Sequence, residues 1–115
     1  MVLTLDGVST SLTIKVYKTV TVTCNFIGFP GIAYDQRNAS IGYYLHIGGN
    51  DPRIVGPFYI NPVNGNATST FESTLLENDR IRGVVTYRVR AEWYSSTGDV
   101  SSSYSNQVTA TWIDP

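Results

Sequence analysis

The longest run of alternating apolar and polar residues in this chain extends from Val84 to Tyr94. Successive side chains of a β-strand point to opposite faces, so such a run has one apolar face and one polar face. The apolar face would hold Val85, Tyr87, Val89, Ala91 and Trp93, and the polar face Thr86, Arg88, Arg90, Glu92 and Tyr94. Burying one large apolar side chain contributes about 1.5 to 3 kcal/mol. The run therefore predicts a half-buried strand covered by a second layer.

Shorter alternating runs occupy the rest of the chain, between turn sequences rich in Gly, Pro and Asn. They are rich in β-branched residues, and no window shows a convincing helical period. The predicted strands lie near residues 3–5, 12–26, 41–47, 53–60, 68–76 and 108–112. Residues 12–26 keep one parity throughout, which fits either one long bent strand or two strands. Pro57 lacks a backbone donor, so its strand is expected at a sheet edge.

About seven short strands with regular turn signals predict an all-β fold, a two-sheet antiparallel β-sandwich with Greek-key connections. The length of 115 residues is that of one domain, so residues 1–115 are expected to form a single sandwich. Cys24 is the only cysteine, which excludes an internal disulfide. It shares the parity of Val22 and Phe26 and is expected to be a small core residue.

From about Thr68 to Ile113 the chain resembles a fibronectin type III domain. The similarity lies in Ile81, Gly83 and the run Tyr87-Arg88-Val89-Arg90-Ala91, followed by a Gly- and Ser-containing tip at 98–102. The resemblance implies structural roles for Ile81 and Tyr87. Tyr87 would form the family's tyrosine corner, with its hydroxyl bonded to upstream backbone across the crossover between the sheets. Gly83 stands where the family usually has Pro, and an immunoglobulin-like sandwich is the alternative.

Charge and hydropathy exclude several classes of function. Eight basic and nine acidic residues give a net charge of -1, so no electrostatic footprint for nucleic acid is present. No run approaches the roughly 18 apolar residues of a membrane span, so membrane insertion is not expected. The first residues contain no recognisable signal-peptide core, and no export by that route is expected.

The sequence contains no recognised catalytic motif. His46 is the only histidine and falls on the polar parity of its strand, whereas Cys24 falls on an apolar parity. Glu72, Glu77 and Asp79 would lie on or just beyond a strand whose polar face is ordinarily solvated, which does not suit the paired carboxylates of glycoside hydrolysis. We therefore predict that the protein is not an enzyme and uses no cofactor and no metal.

One candidate contact surface is the polar face of the sheet that contains the 84–94 strand. Strand pairing would bring together Tyr44, His46, Arg88, Arg90, Glu92 and Tyr94. Aromatic and arginine side chains are frequent anchors of protein interfaces. The alternative is that the arginines and the glutamate only form cross-strand pairs that contribute to stability.

A second candidate surface is a set of loops expected to gather at one pole of the sandwich. It would carry Tyr34, Asp35, Arg37, Asp99 and Tyr104. Tyr together with Ser, Gly and Asn is the composition of adaptable recognition loops, and equally that of any solvated loop.

These observations favour a non-enzymatic structural or binding domain. The first prediction is a bacteriophage virion structural or decoration protein, located in the virion, that contacts other virion proteins, copies of itself or the host surface. The alternative is an adhesion or carbohydrate-binding accessory module, excised from a larger secreted or cell-surface protein and therefore extracellular.

Overall fold

The computed structural model describes residues 1–16, 18–26, 41–49, 52–60, 67–71, 83–94 and 99–115, and at 67–71 and Tyr94 this description covers the backbone. All regular structure in these ranges is β-strand, as the sequence predicts. The nine strands are β1 (Val2–Leu5), β2 (Ser11–Lys15), β3 (Val22–Phe26), β4 (Ile41–Gly48), β5 (Arg53–Ile60), β6 (Ala67–Phe71), β7 (Gly83–Tyr94), β8 (Val100–Tyr104) and β9 (Val108–Ile113).

The strands form two sheets that share one core. The three-stranded sheet has the order β1-β3-β6, and the six-stranded sheet has the order β2-β9-β7-β4-β5 with β8 paired to β7. Buried residues of both sheets belong to a single hydrophobic cluster. The prediction of an all-β, two-sheet, sandwich-like architecture is therefore confirmed. Pro57 lies in β5, at the edge of the six-stranded sheet, also as predicted.

The long alternation of β7 places its apolar side chains in the core. Val85, Val89 and Ala91 are buried, and Tyr87 is fully buried. The indole Nε1–H of Trp112, in β9, donates a hydrogen bond of 2.8 Å to the hydroxyl of Tyr87. The upstream backbone expected to bond Tyr87 in a tyrosine corner, together with Ile81, lies outside the described residues.

Residues 12–26 form two strands rather than one long bent strand. β2 belongs to the six-stranded sheet and β3 to the three-stranded sheet. Ile14, Val16, Val20 and Val22 nevertheless share one parity and are all buried. The inner faces of both sheets border the same core, so the chain keeps its apolar parity as it crosses between them.

Two features of the sheets differ from the predictions. β2 and β9 pair in parallel, from Ser11 opposite Thr109 to Lys15 opposite Ile113, so the prediction of wholly antiparallel pairing is wrong for these strands. Residues 100–104, expected in a loop, form β8. β7 is twelve residues long and extends beyond β9. The backbone of this extension pairs with β8, a serine-rich segment that has no hydrophobic pattern of its own.

Gly83 begins β7 with a φ of +94°. The ring of proline fixes φ near −65°, so proline cannot adopt this backbone conformation. The proline that fibronectin type III domains usually have at this position would therefore not fit the backbone of Gly83.

Ser105 and Asn106 lie between β8 and β9, and Asn106 also joins the two sheets. The Ser105 hydroxyl accepts a 2.8 Å hydrogen bond from the Val89 amide, continuing the pairing with β7. The Asn106 side chain accepts from the Leu3 amide at 2.7 Å and donates to the carbonyls of Leu3 at 2.9 Å and Ser9 at 2.8 Å. Asn106 therefore attaches the segment containing β1 to the opposite sheet.

Cys24 is expected to be unreactive in the folded protein. Its side chain is fully buried in the core, and burial raises the pKa of the thiol to about 12. The thiolate is the nucleophilic form, so a thiol reagent at pH 8 should modify Cys24 only after the core opens. Reaction with an aromatic disulfide reagent, followed by absorbance with and without urea, tests this expectation. Rapid stoichiometric labelling without urea would contradict it.

Candidate functional site

Strand register gathers a group of polar and aromatic residues on the outer face of the six-stranded sheet. Tyr44 and His46 of β4 lie opposite Arg90 and Arg88 of β7, and Arg90 also lies opposite Tyr104 of β8. Glu92 follows on the same face of β7. We call this group the Arg–Tyr face: Tyr44, His46, Arg88, Arg90, Glu92 and Tyr104.

Each arginine of the Arg–Tyr face stacks on a tyrosine from a neighbouring strand. The Arg88 guanidinium carbon lies 4.2 Å from the centre of the Tyr104 ring, and that of Arg90 lies 4.4 Å from the centre of the Tyr44 ring. Such cation–π contacts contribute about 0.5 to 1 kcal/mol at exposed sites. They also hold the planar groups in defined positions across three strands.

Arg90 makes further contacts that hold its guanidinium in place. Its Nε–H donates to Nε2 of His46 at 3.1 Å, and its Nη1 forms an ion pair with Glu92. The His46 ring meets the Tyr104 ring edge-on, with 5.7 Å between the ring centres. Arg90 is therefore at the centre of a network that spans β4, β7 and β8.

His46 is neutral in this arrangement, because Nε2 accepts a hydrogen bond only when it carries no proton. Burial is the main cause that lowers its pKa from the ordinary value of 6.5, and the charges of Arg90 and Arg88 lower it further. Protonation would replace the acceptor with a third positive charge on this face.

We expect stability to fall as the pH drops below about 6.5, the usual histidine pKa. In that range the unfolded state binds a proton at His46 before the folded state does, so acid favours unfolding. Urea denaturation at pH 7.5 and pH 5.5, with His46→Gln as the control, measures the effect, which is small because His46 is partly exposed. Equal pH dependence in both proteins would contradict this assignment.

The structure brings together five of the six residues predicted for the sheet face. Tyr94 ends β7 on the same register parity, and its side chain lies outside the description. The predicted pole loops are tested only in part, because Tyr34, Asp35 and Arg37 also lie outside the described residues. Asp99 is exposed just before β8. Tyr104 lies at the far end of β8 and belongs to the Arg–Tyr face, so its predicted position in a pole loop is wrong.

A cleft of about 670 Å³ lies beside the Arg–Tyr face and shares His46 and Arg88 with it. Its other lining residues are Ile47, Gly48, Pro52, Arg53, Ile54, Thr86 and Gln107. Sequence reasoning missed this cleft, since its walls come from three strands, β4, β5 and β7, and from the segments just before β5 and β9. The one available signal was parity, which places Thr86 beside Arg88 on the polar face of β7.

Two features are absent from the described residues. No group of three or more His, Cys, Asp or Glu side chains in these ranges is arranged to hold a metal ion. No helix in the described part of the chain is long and apolar enough to cross a membrane.

Comparison with known proteins identifies no relative. No protein-family model matches the chain, and neither the curated proteins nor the solved structures contain a match. The residues of the outer sheet face and their contacts are therefore the basis for inferring a function.

Proposed function

We propose that this chain is a non-enzymatic binding domain. It contacts a protein partner through the outer face of its six-stranded sheet. The partner is a subunit of a virus particle, such as a bacteriophage capsid or tail. The observation that carries the proposal is the distribution of exposed apolar side chains. Among the described residues, six large apolar side chains are markedly exposed, and five share this face by strand register: Ile54, Val84, Val100, Tyr104 and Ile113.

Concentrating exposed apolar groups on one face has a cost in water, and such patches commonly mark contact sites. Ile54 and Val84 are each 58% exposed, whereas Val85, the next residue of β7, is buried. Val2 is the sixth exposed side chain and lies on the other sheet. Among the side chains that the structure describes, this asymmetry favours the six-stranded sheet as the contact surface.

The Arg–Tyr face supports a protein as the partner. Arg and Tyr are enriched among the residues that dominate binding energy in protein interfaces. Arg90 is already held by Tyr44, His46 and Glu92, so it would lose little side-chain freedom on binding. The same contacts also stabilise the isolated sheet, and only a binding experiment separates the two roles.

The strand order supports an immunoglobulin-like or fibronectin type III-like sandwich as the finer description of the fold. In immunoglobulin domains of the constant type, strands A, B, E and D form one sheet and strands C, F and G form the other. The orders β9-β7-β4-β5 and β1-β3-β6 correspond to this arrangement. The setting in a virion rests on the sequence alone, a Ser- and Thr-rich domain without a catalytic motif.

Co-purification with particles tests the proposal. Cells that carry the gene are lysed, particles are banded in a density gradient, and the chain is detected by immunoblot. A photo-crosslinking residue replaces Tyr104 on the Arg–Tyr face or, as the control, Val2 on the other sheet. We expect the chain in the particle band and a crosslink to a particle subunit from position 104 only.

Absence from the particle band, or equal crosslinking from both positions, would contradict the proposal. Binding of a polysaccharide in place of a particle subunit, measured by calorimetry, would instead favour the alternative of a carbohydrate-binding module.

A further inference from the structure

The described residues that line the cleft beside the Arg–Tyr face include positively charged side chains and no negatively charged ones. Arg88 and Arg53 line it together with the neutral imidazole of His46, and the described residues of its lining include no Asp or Glu. Gln107 and Thr86 add neutral groups that donate hydrogen bonds. The described part of the lining is therefore basic, in contrast to the net charge of -1 for the chain as a whole.

The two arginines of β7 differ in what they contact. Arg90 is paired with Glu92 and bonded to His46. Arg88 is exposed and rests on the Tyr104 ring, and the described residues place no carboxylate against it. Stacking on a ring leaves the N–H groups at the edge of a guanidinium available, and these groups match a carboxylate in geometry.

We propose that this cleft receives a carboxylate side chain from an acidic segment of the protein partner, with Arg88 as the ion-pair partner. The inference rests on the proposed function and names the chemistry of its partner.

Other walls of the cleft suit the same occupant. Ile54 and Pro52 give an apolar side, which excludes water from a bound carboxylate and strengthens its attraction to Arg88. Gly48 lies opposite Thr86, and a Cβ atom at Gly48 would overlap the Thr86 hydroxyl oxygen. A larger residue at position 48 would therefore collide with this hydroxyl, and glycine leaves the floor of the cleft open.

A peptide titration of the whole chain tests the inference. Blocked hexaglutamate is added to ¹⁵N-labelled protein at pH 7 and 0.15 M salt, with blocked hexaglutamine and inorganic phosphate as parallel probes. We expect saturable shifts of the Thr86, Arg88 and Gln107 amides with hexaglutamate alone. Higher salt should weaken the binding, as it screens partly exposed charges.

Arg88→Gln should weaken hexaglutamate binding roughly five-fold, the size expected for a partly exposed ion pair. Lys15→Gln is the matched control. Lys15 is exposed and lies on the same face of the same sheet, on β2, which is separated from β7 by β9. Its substitution removes one positive charge from this face and should leave the affinity within about two-fold, because it lies outside the cleft.

Three results of the peptide titrations would overturn the inference. These are no saturable binding of hexaglutamate, equal binding of hexaglutamine, or equal affinity in Arg88→Gln and the unsubstituted protein. Phosphate binding to the same amides as tightly as the peptide would also overturn it, since the cleft would then be a small-anion site.

The two proposals fail separately. If the chain bands with particles and crosslinks from position 104 but does not bind hexaglutamate, the proposed function is supported and the acidic partner is contradicted. If the chain binds hexaglutamate through Arg88 but does not band with particles, carboxylate binding in the cleft is supported and the virion setting is contradicted.

Discussion

Replacing Trp112 with phenylalanine is expected to lower the free energy of unfolding by about 2 to 4 kcal/mol. The Trp112 side chain is only 1% exposed, so the smaller ring leaves a cavity in the core. The substitution also removes the donor of the 2.8 Å hydrogen bond to the Tyr87 hydroxyl. Urea denaturation followed by far-ultraviolet circular dichroism measures the change without depending on tryptophan fluorescence.

Tyr87→Phe separates the hydrogen bond from the packing. It keeps the ring and removes the hydroxyl that accepts from the Trp112 indole, so the expected loss is about 1 to 2 kcal/mol. The double variant should lose less than the sum of the two single losses, because both changes break the same bond. Strict additivity, or a Tyr87→Phe protein as stable as the original, would mean that this bond contributes nothing.

Asn106→Asp is expected to cost about 2 to 4 kcal/mol at neutral pH, although the side chain hardly changes shape. The amide of Asn106 donates to the carbonyls of Leu3 and Ser9 and accepts from the Leu3 amide. An ionised carboxylate keeps the acceptor, loses both donors and faces two carbonyl oxygens. These oxygens raise its pKa, so part of the stability should return as the pH falls and the carboxyl takes up a proton.

Gln107→Glu is the matched control for Asn106→Asp. It makes the same change from amide to acid at the next residue, which is exposed. Denaturation midpoints at pH 7 and pH 4 should show a large and pH-dependent loss for Asn106→Asp alone. Similar losses in both variants would assign the effect to added charge rather than to the hydrogen bonds with Leu3 and Ser9.

Sequence alternation predicts the inner face of each sheet well, for a direct physical reason. A strand has a period of two, so parity alone determines that Val85, Tyr87 and Val89 share a face, and burial follows from their apolar character. The same parity predicts that Arg88 and Arg90 face outward together. Their approach to Tyr44 and His46 then requires only that β4 and β7 be neighbours.

The parts that sequence reasoning missed depend on contacts distant along the chain. Val100–Tyr104 has no hydrophobic pattern, and it forms a strand because β7 extends beyond β9. Tyr104 could not be placed on the Arg–Tyr face without that strand. Asn106 bonds to Leu3 near the other end of the sequence, and no local pattern indicates such a partner.

β9 lies between β2 and β7, so β2 and one edge of β7 depend on a segment near residue 110 for their pairing. During synthesis β2 and β7 are made before β9. The edge of each strand that pairs with β9 therefore stays unpaired until β9 has emerged from the ribosome. Contacts between segments so far apart form slowly, and open edges in the meantime invite association between nascent chains. Completion of the six-stranded sheet is therefore timed by the synthesis of β9.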